Sequence, residues 1–360
     1  MEGVGIMNNM SDFYNGKKVF VTGHNGFKGS WMCKVLKMMG AEVCGFSLKP
    51  NTEPSLYEIA NLENNMINII GDIRNLDHLK KAVCEFQPDI LIHMAAQPIV
   101  RESYKDPIYT YETNVMGTVN ILESVRACRS IKSFLNVTTD KVYKNNEWEW
   151  GYREIDQLDG YDPYSNSKSC SELVTSSYKK SFFSNEDSPA ISTARAGNVI
   201  GGGDFAVDRI IPDCVRAMQN DEEITVRNPY STRPYEHVLE PVMAYLLIAQ
   251  KQYENKEKYS GCYNVGPNDS DCITTGDLVD MFCKEWGDGA SWKNIMEKDA
   301  PHEANFLKLD HSKITSVLGW KPCWDIKQTI KKTVEWSKVH IEKGDIESCM
   351  EKQIKDYLEG

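Results

Sequence analysis

The stretch Lys17-Lys-Val-Phe-Val-Thr-Gly23-His-Asn-Gly26-Phe-Lys-Gly29-Ser30 decides the fold. Residues 17–22 read as a short buried strand, and residues 30–39 as a helix with no breaker. Three glycines stand between them at three-residue intervals. Strand, glycine turn and helix in that order make a dinucleotide cradle. Gly23 lets the chain turn sharply off the strand. Gly26 leaves room for a backbone to approach a phosphate, and Gly29 has no side chain to hold the helix off the sheet. The helix N-terminus then offers unpaired N–H groups and a positive dipole end to a pyrophosphate.

The same alternation continues downstream. Strands are expected at 42–47, 66–70, 89–93, 133–138 and 190–195, with helices at 76–86, 107–128 and 164–183. Crossover segments of helix length imply an α/β fold: a Rossmann-type, doubly wound parallel sheet with helices on both faces. Beyond Gly197 the regularity fades, and helices are expected at 211–220, 277–285 and 326–343. The expected organisation is a flexible tail over 1–16 and an NAD-binding domain over 17–196. A smaller substrate-binding lobe follows over 197–345, interleaved with returns to the main sheet, and then a tail over 346–360.

Composition narrows the function. The 360 residues carry a formal net charge of −11, which argues against nucleic acid and anionic membrane surfaces as partners. No apolar run reaches membrane-spanning length, and residues 1–15 lack the layout of a signal peptide. The 11 cysteines are scattered without a C-x-x-C pair, which points to reduced thiols in a cytoplasmic protein. The seven histidines show no ligand spacing, so no metal is expected.

Doubly wound sheets bind ligands at the carboxyl ends of their strands, so those ends hold the candidates. The second strand ends in Ser47-Leu48-Lys49, without the acid that usually holds NAD ribose hydroxyls. Lys49 could tolerate the 2′-phosphate of NADP or be a solvated lysine, so this feature leaves the two cofactors open. Asp72 follows the third strand and can accept from adenine, cap the helix at 76–86, or do both. Ala95, Ala96 and Gln97 follow the fourth strand and let a backbone lie against the cofactor. Asn114 either reaches the site or pins a neighbouring loop. The fifth strand delivers Thr138-Thr139-Asp140-Lys141 to the same edge.

Tyr164 and Lys168 are the sharpest chemical pair. Asp162 is a plausible N-cap and Pro163 a first-turn proline, and the i, i+4 spacing puts both residues on one helix face. An ammonium one turn away favours the phenolate and lets tyrosine take a proton from a sugar hydroxyl. A simple dehydrogenase or 4-epimerase needs only a hydroxyl beside that tyrosine. An acid and an amine together at Asp140 and Lys141 suggest further proton transfers.

These motifs resemble the extended short-chain dehydrogenase/reductase family of nucleotide-sugar enzymes. The resemblance rests on Thr22-Gly-His-Asn-Gly-Phe-Lys-Gly29, Tyr164-x-x-x-Lys168 and Arg195-Ala-Gly-Asn-Val199. Thr139-Asp-Lys-Val-Tyr143, Trp150-Gly-Tyr-Arg-Glu154, Gly160-Tyr-Asp-Pro-Tyr-Ser165, Gly201-Gly-Gly-Asp204 and Arg233-Pro-Tyr-Glu-His-Val-Leu-Glu-Pro241 resemble the CDP-glucose branch of its 4,6-dehydratases. It runs from about Gly16 to Trp336. It implies a redox-neutral elimination with tightly held NAD: Tyr164 removes the 4-hydroxyl proton, C4 gives hydride to NAD, Asp140 helps the 6-hydroxyl leave, and hydride returns to C6. Thr139 holds the 4-oxygen. The dTDP-glucose branch carries Glu where Lys141 stands, so Lys141 is expected to be the C5 base, which requires it to be neutral. Lys141→Met is then expected to stall after the oxidation.

The resemblance places Asn25, Phe27, Lys28, Ile73 and Thr138 at the cofactor, with Phe27 and Lys28 near its pyrophosphate. It places Gln97, Tyr143, Asn198, Arg209, Arg233, His237 and His302 at the substrate, where arginine forks suit a diphosphate. Glu303 accompanies His302 in a segment that could close over the nucleotide. Family members usually pair through two helices each, one bearing the tyrosine. The outward residues of that helix, read as Ser171, Val174 and Tyr178, permit a homodimer. Rivals to the CDP-glucose reading are dehydration of UDP-N-acetylglucosamine or dTDP-glucose, 4-epimerisation, and a non-catalytic NAD-sensing regulator. The last typically lacks the Tyr-Lys pair.

Overall fold

The computed structural model describes residues 9–295 and 306–359. Its main sheet contains β1 (Lys18–Thr22), β2 (Glu42–Ser47), β3 (Ile67–Ile70), β4 (Ile90–His93), β5 (Ser133–Val137) and β6 (Ala190–Ala196). Three further strands follow in the lobe, β7 (Asn198–Ile200), β8 (Ile224–Val226) and β9 (Thr232–His237), before β10 (Cys262–Val265) rejoins the sheet. The order is β10-β6-β5-β4-β1-β2-β3, and every pairing is parallel. The order reverses direction between β1 and β4, and the crevice at such a switch point is where these folds take ligands.

Both faces of the sheet are covered, and the alternation along each strand explains why. Val19 and Val21 face one core and Phe20 the other; Ile90 and Ile92 divide from Leu91 in the same way. The first core is closed by α1 (Phe27–Met38), and the second by α2 (Leu76–Phe86) and α3 (Gly117–Ala127) with the flank of α4 (Pro163–Phe182). The lobe adds α5 (Ile210–Gln219), α6 (Leu239–Glu254), α7 (Thr275–Trp286) and α8 (Ile326–Ile341). Of these, α6 packs on the main sheet, while α5, α7 and α8 enclose a third core with Ile211, Leu278, Phe282 and Ile330. β9 pairs with β7 and with β11 (Cys272–Thr274), and β8 pairs with β12 (Trp292–Asn294).

The two expected tails are corrected over the described residues. Residues 9–14 are helical, Met10 and Tyr14 are buried, and the Tyr14 hydroxyl donates to the Leu246 carbonyl at 2.8 Å. The C-terminal segment is α9 (Ile346–Glu359), whose Ile346, Met350, Ile354 and Tyr357 form one buried stripe against the first core. Lys34 of α1 anchors it with bonds of 2.8 Å to Glu347 and Glu351. The single helix expected over 107–128 is three pieces: Pro107–Tyr111, a π-turn at Glu112–Met116, and α3.

Candidate active site

The glycine turn builds the first wall. Gly23 has φ +72°, a left-handed conformation that favours glycine, and a Cβ on Gly29 would lie 2.1 Å from the Gly23 carbonyl oxygen. Gly26 caps α1 without a side-chain bond, so the first N–H groups of the helix face the cleft. Thr22 Oγ1 accepts from the N–H groups of Met94 and Ala95 at 3.1 and 3.2 Å, which holds the fourth strand's end against the turn.

The cleft along these strand ends has a volume of ≈ 1490 Å³. A single small ligand needs several hundred Å³, so it has room for both a dinucleotide and a second nucleotide. It is lined from the turn by Asn25, Phe27 and Lys28, from β3 by Asp72 and Ile73, and from β4 by Ala95 and Ala96. Thr138 to Lys141, Tyr164, Lys168, Asn198, Arg209 and Arg233 complete it. The uncapped helix and the two tight glycines fit a dinucleotide pyrophosphate. Asn25 donates to the Leu48 carbonyl at 2.7 Å, fixing the acid-free end of β2.

The catalytic candidates converge on one patch. Asp162 caps α4 by accepting from Ser165 N–H at 3.0 Å, with Pro163 in the first turn, and this sets Tyr164 at the cleft. Thr139 Oγ1 donates to Asp140 Oδ1 at 2.9 Å, and both line the cleft with Tyr164. Asp140 is 1% exposed; burial raises its pKa, against the opposing pull of Lys141, Thr139, Arg233 and Lys28. It therefore holds its proton to a higher pH than an ordinary aspartate. Lys141 is half-buried beside it.

The tyrosine–lysine pair differs from expectation. Burial pushes Tyr164 up to about 12, with Thr139 and Arg209 opposing the rise. Lys168 lies at the floor of the cleft, donating to the Val137 carbonyl at 3.2 Å. Burial, assisted by Lys28, pushes it down to about 7 against the pull of Glu172. Desolvation outweighs the helical neighbour for both groups.

Several of the candidate side chains have hydrogen-bond partners within the protein. Asp72 does not cap α2: Asn75 does, and the Asp72 carboxylate is held by Arg74 at 2.7 Å. Asn114 sits in the π-turn behind the wall, accepting from Gln97 N–H at 2.8 Å and donating to Ser167 at 2.9 Å. Its role is to pin the 97 loop. The Gln97 side chain is occupied by Thr110 and by Ile99 N–H. The Tyr143 hydroxyl donates to Asn264 at 2.7 Å and accepts from Arg195 at 2.6 Å. His237 is a core residue: it is fully buried between the rings of Trp31 and Trp324, Nδ1 accepts from Leu239 N–H, and burial pushes it down to about 3. Ser171 points inward to Thr118 and Asn136, both at 2.9 Å. His302 and Glu303 lie outside the described residues. Lys28 is half-buried and lines the cleft, and the charged groups that act on it are Arg209, Glu236, Asp140 and Asp204.

One feature behind the site had no sequence signal. Glu172 on α4 accepts from Arg195 Nε at 2.9 Å, Thr138 at 2.6 Å and Thr193 at 2.7 Å, all buried. It ties the end of β5 to β6 and α4. Among the described residues no group of three His, Cys, Asp or Glu side chains could hold a metal, and no helix is long and apolar enough to cross a membrane.

Residues 20–333 match the model of the GDP-mannose 4,6-dehydratase family. The chain belongs to that family. It is 49% identical over 351 residues to the CDP-glucose 4,6-dehydratase of Salmonella typhimurium, covering 96% of this chain and 98% of that protein. The CDP-paratose 2-epimerase of Salmonella typhi is 25% identical, covering 89% and 99%. Among solved structures, the fold is similar to dTDP-glucose 4,6-dehydratase from Bacillus anthracis in complex with NAD (TM-score 0.76, 21% identity, 91% of this chain and 98% of that one). It is also similar to the dTDP-glucose 4,6-dehydratase DesIV from Streptomyces venezuelae (TM-score 0.78, 21% identity, 91% and 99%). For a 4,6-dehydratase of this family, the grouping of Asp140, Thr139 and Tyr164 has a direct chemical sense: water can leave a sugar only if an acid protonates the departing hydroxyl.

Proposed function

We propose that this chain catalyses the 4,6-dehydration of CDP-glucose, giving CDP-4-keto-6-deoxyglucose and water, with NAD as its resident cofactor. The observation that carries this reading is the buried acid Asp140, bonded to Thr139 in the cleft that Tyr164 also lines. A 4-epimerase has no leaving hydroxyl to protonate. The 49% identity to a CDP-glucose 4,6-dehydratase supports the choice of nucleotide sugar.

When bound, NAD supplies a two-electron acceptor that takes hydride from C4 and returns it to C6. Tyr164 takes the proton of the 4-hydroxyl as its phenolate, a form that burial disfavours and that the positive nicotinamide of bound NAD would favour, while Thr139 holds the 4-oxygen. The 4-ketone acidifies the C5 proton, which Lys141 removes and later returns. Asp140 gives its proton to the departing 6-hydroxyl. Arg233, Arg209 and Asn198 hold the diphosphate and sugar; the Arg209 guanidinium is set by Asp204 at 2.8 Å. The turn residues Gly23, Asn25, Gly26, Phe27 and Gly29, with Asp72, Ile73, Ala95, Ala96 and Thr138, hold the cofactor.

The protein pairs with a second copy through α4, where Leu173 and Phe182 are exposed, and through the neighbouring Ile108 and Met116. It works in the cytoplasm, free of nucleic acid and membrane, supplying a deoxysugar for lipopolysaccharide O-antigen. The test is incubation with CDP-glucose, UDP-N-acetylglucosamine and dTDP-glucose, followed by the alkali-induced absorbance of a 4-keto sugar. Product from CDP-glucose alone is expected. Turnover of another sugar with CDP-glucose ignored would overturn the assignment.

A further inference from the structure

The glycine run Gly201-Gly202-Gly203 has no task in the proposed chemistry. It follows β7 and leads through Asp204 to Arg209, and Gly201, Gly203, Asp204 and Arg209 all line the cleft. Two tryptophans from distant helices meet at its middle residue. The Trp31 Nε1 of α1 donates to the Gly202 carbonyl at 3.0 Å, although the two residues are 171 positions apart. A Cβ on Gly202 would lie 2.0 Å from Cγ of Trp336 on α8, so that indole rests directly on the turn. Both indoles are buried, and neither lines the cleft.

The chain beyond the turn is tied down as well. Asp204 Oδ1 accepts from Ala206 N–H at 3.1 Å, and Asp204 Oδ2 accepts from the Arg209 guanidinium at 2.8 Å. Arg216 on α5 donates to the Phe205 and Ala206 carbonyls at 3.3 and 3.2 Å. The Phe205 ring meets Trp336 again, with centroids 6.1 Å apart. An unbroken series of contacts therefore runs from the two indoles through Gly202 and Asp204 to Arg209.

We propose that Trp31 and Trp336 are positioning residues for the diphosphate of the nucleotide sugar: they set the turn at Gly202, and the turn sets Asp204 and Arg209. A guanidinium holds a diphosphate through parallel hydrogen bonds of fixed geometry, so a small shift of its loop weakens binding. Removing the Trp31 N–H frees the Gly202 carbonyl, and removing the Trp336 indole leaves a gap where a glycine had been required. Neither indole touches the ligand, and both act through Arg209. The helix whose uncapped end fits the dinucleotide pyrophosphate thus also fixes the arginine on the substrate side.

This inference rests on the proposed seat of the diphosphate at Arg209, and a double-mutant cycle separates the two. CDP is titrated into NAD-saturated protein by calorimetry, and CDP-glucose turnover is followed in parallel. Arg209→Met is expected to weaken CDP at least about tenfold. Trp31→Phe keeps a ring and removes the N–H. It is expected to weaken CDP about threefold to tenfold and to raise KM for CDP-glucose to match, with kcat within about twofold. In the Arg209→Met background the same change should add nothing, a result that general loosening of the fold would not give. Should Trp31→Phe fold poorly, Trp336→Phe takes its place in the cycle with the same expectation. Additive losses, or tryptophan variants that bind CDP normally while Arg209→Met does not, would overturn the positioning role alone. Unchanged CDP affinity in Arg209→Met, or no CDP binding by the wild type, would overturn the diphosphate seat and this inference with it.

Discussion

Thr139 Oγ1 donates to Asp140 Oδ1 at 2.9 Å, which orients the acid of the proposed elimination in the cleft that Tyr164 also lines. Asp140→Asn keeps the shape and removes the proton. Its turnover is expected to fall ~10²–10⁴-fold, measured as 4-keto sugar formed from CDP-glucose. The pH dependence has a definite sign. The pKa of Asp140 is raised in the folded state, so the native protein holds a proton that the unfolded chain has released. Stability falls as pH rises from the ordinary aspartate range through the raised value. Over that window the wild type should lose stability relative to Asp140→Asn in urea titrations. A parallel response of the two proteins would count against a buried, proton-holding Asp140.

Lys168 offers the opposite sign for a base. Its folded pKa is about 7, against an ordinary 10.5, because it is buried. Between those values the unfolded chain binds more protons, so the stability of the wild type rises with pH. Lys168→Met removes a charge that is costly to bury. It is expected to stabilise the fold at neutral pH by on the order of 1–3 kcal/mol while abolishing turnover. Thermal unfolding at pH 7 and at pH 10 checks both parts: the advantage of the variant should shrink at the higher pH. Its persistence would show that the gain is packing and not charge.

Much of the sheet was legible because its strands follow one another with the glycine turn in front. The first four strand ends, and Asp162 as the cap of α4, follow from local pattern. What stayed hidden has a physical cause in each case. Residues 239–250 of α6 are all buried, so the helix has no polar face and no 3.6-residue signal. α9 does carry that signal, but its position at the chain's end read as a tail. His237 and Lys28 stand in motifs whose residue types suit a ligand. Only packing shows that His237 is sealed between two tryptophans, while Lys28 does line the cleft. The Arg195–Glu172 pair joins a strand to a helix 23 residues apart in sequence, and no short motif reports it.

Lys141 separates the two halves of the proposed reaction. It is half-buried at the cleft and next in sequence to the acid. Lys141→Met should leave oxidation at C4 possible and block loss of the C5 proton. The expected result is at least a ~10²-fold fall in 4-keto-6-deoxy product and no deuterium entering C5 from D2O. Mass spectrometry of recovered nucleotide sugar measures both. Normal deuterium entry in the variant would remove Lys141 from the role of base.

Glu172 tests how the site is held. It is 2% exposed and accepts four hydrogen bonds, two of them from the Arg195 guanidinium. Removing one partner of a buried ion pair leaves an uncompensated charge, which typically costs 3–5 kcal/mol. Glu172→Gln is therefore expected to lose about 3–5 kcal/mol in urea unfolding. Replacing both members, as Glu172→Met with Arg195→Met, should lose less than the single change, because no buried charge is then stranded. The Glu172 carboxylate also fixes Thr138, which precedes Thr139 and Asp140, so the single variant should lower turnover although Glu172 touches no reacting atom. Turnover that falls only as far as the folded fraction would assign Glu172 to stability alone. A larger fall, in protein still folded by circular dichroism, would show that the end of β5 must be held in place for Asp140 to act.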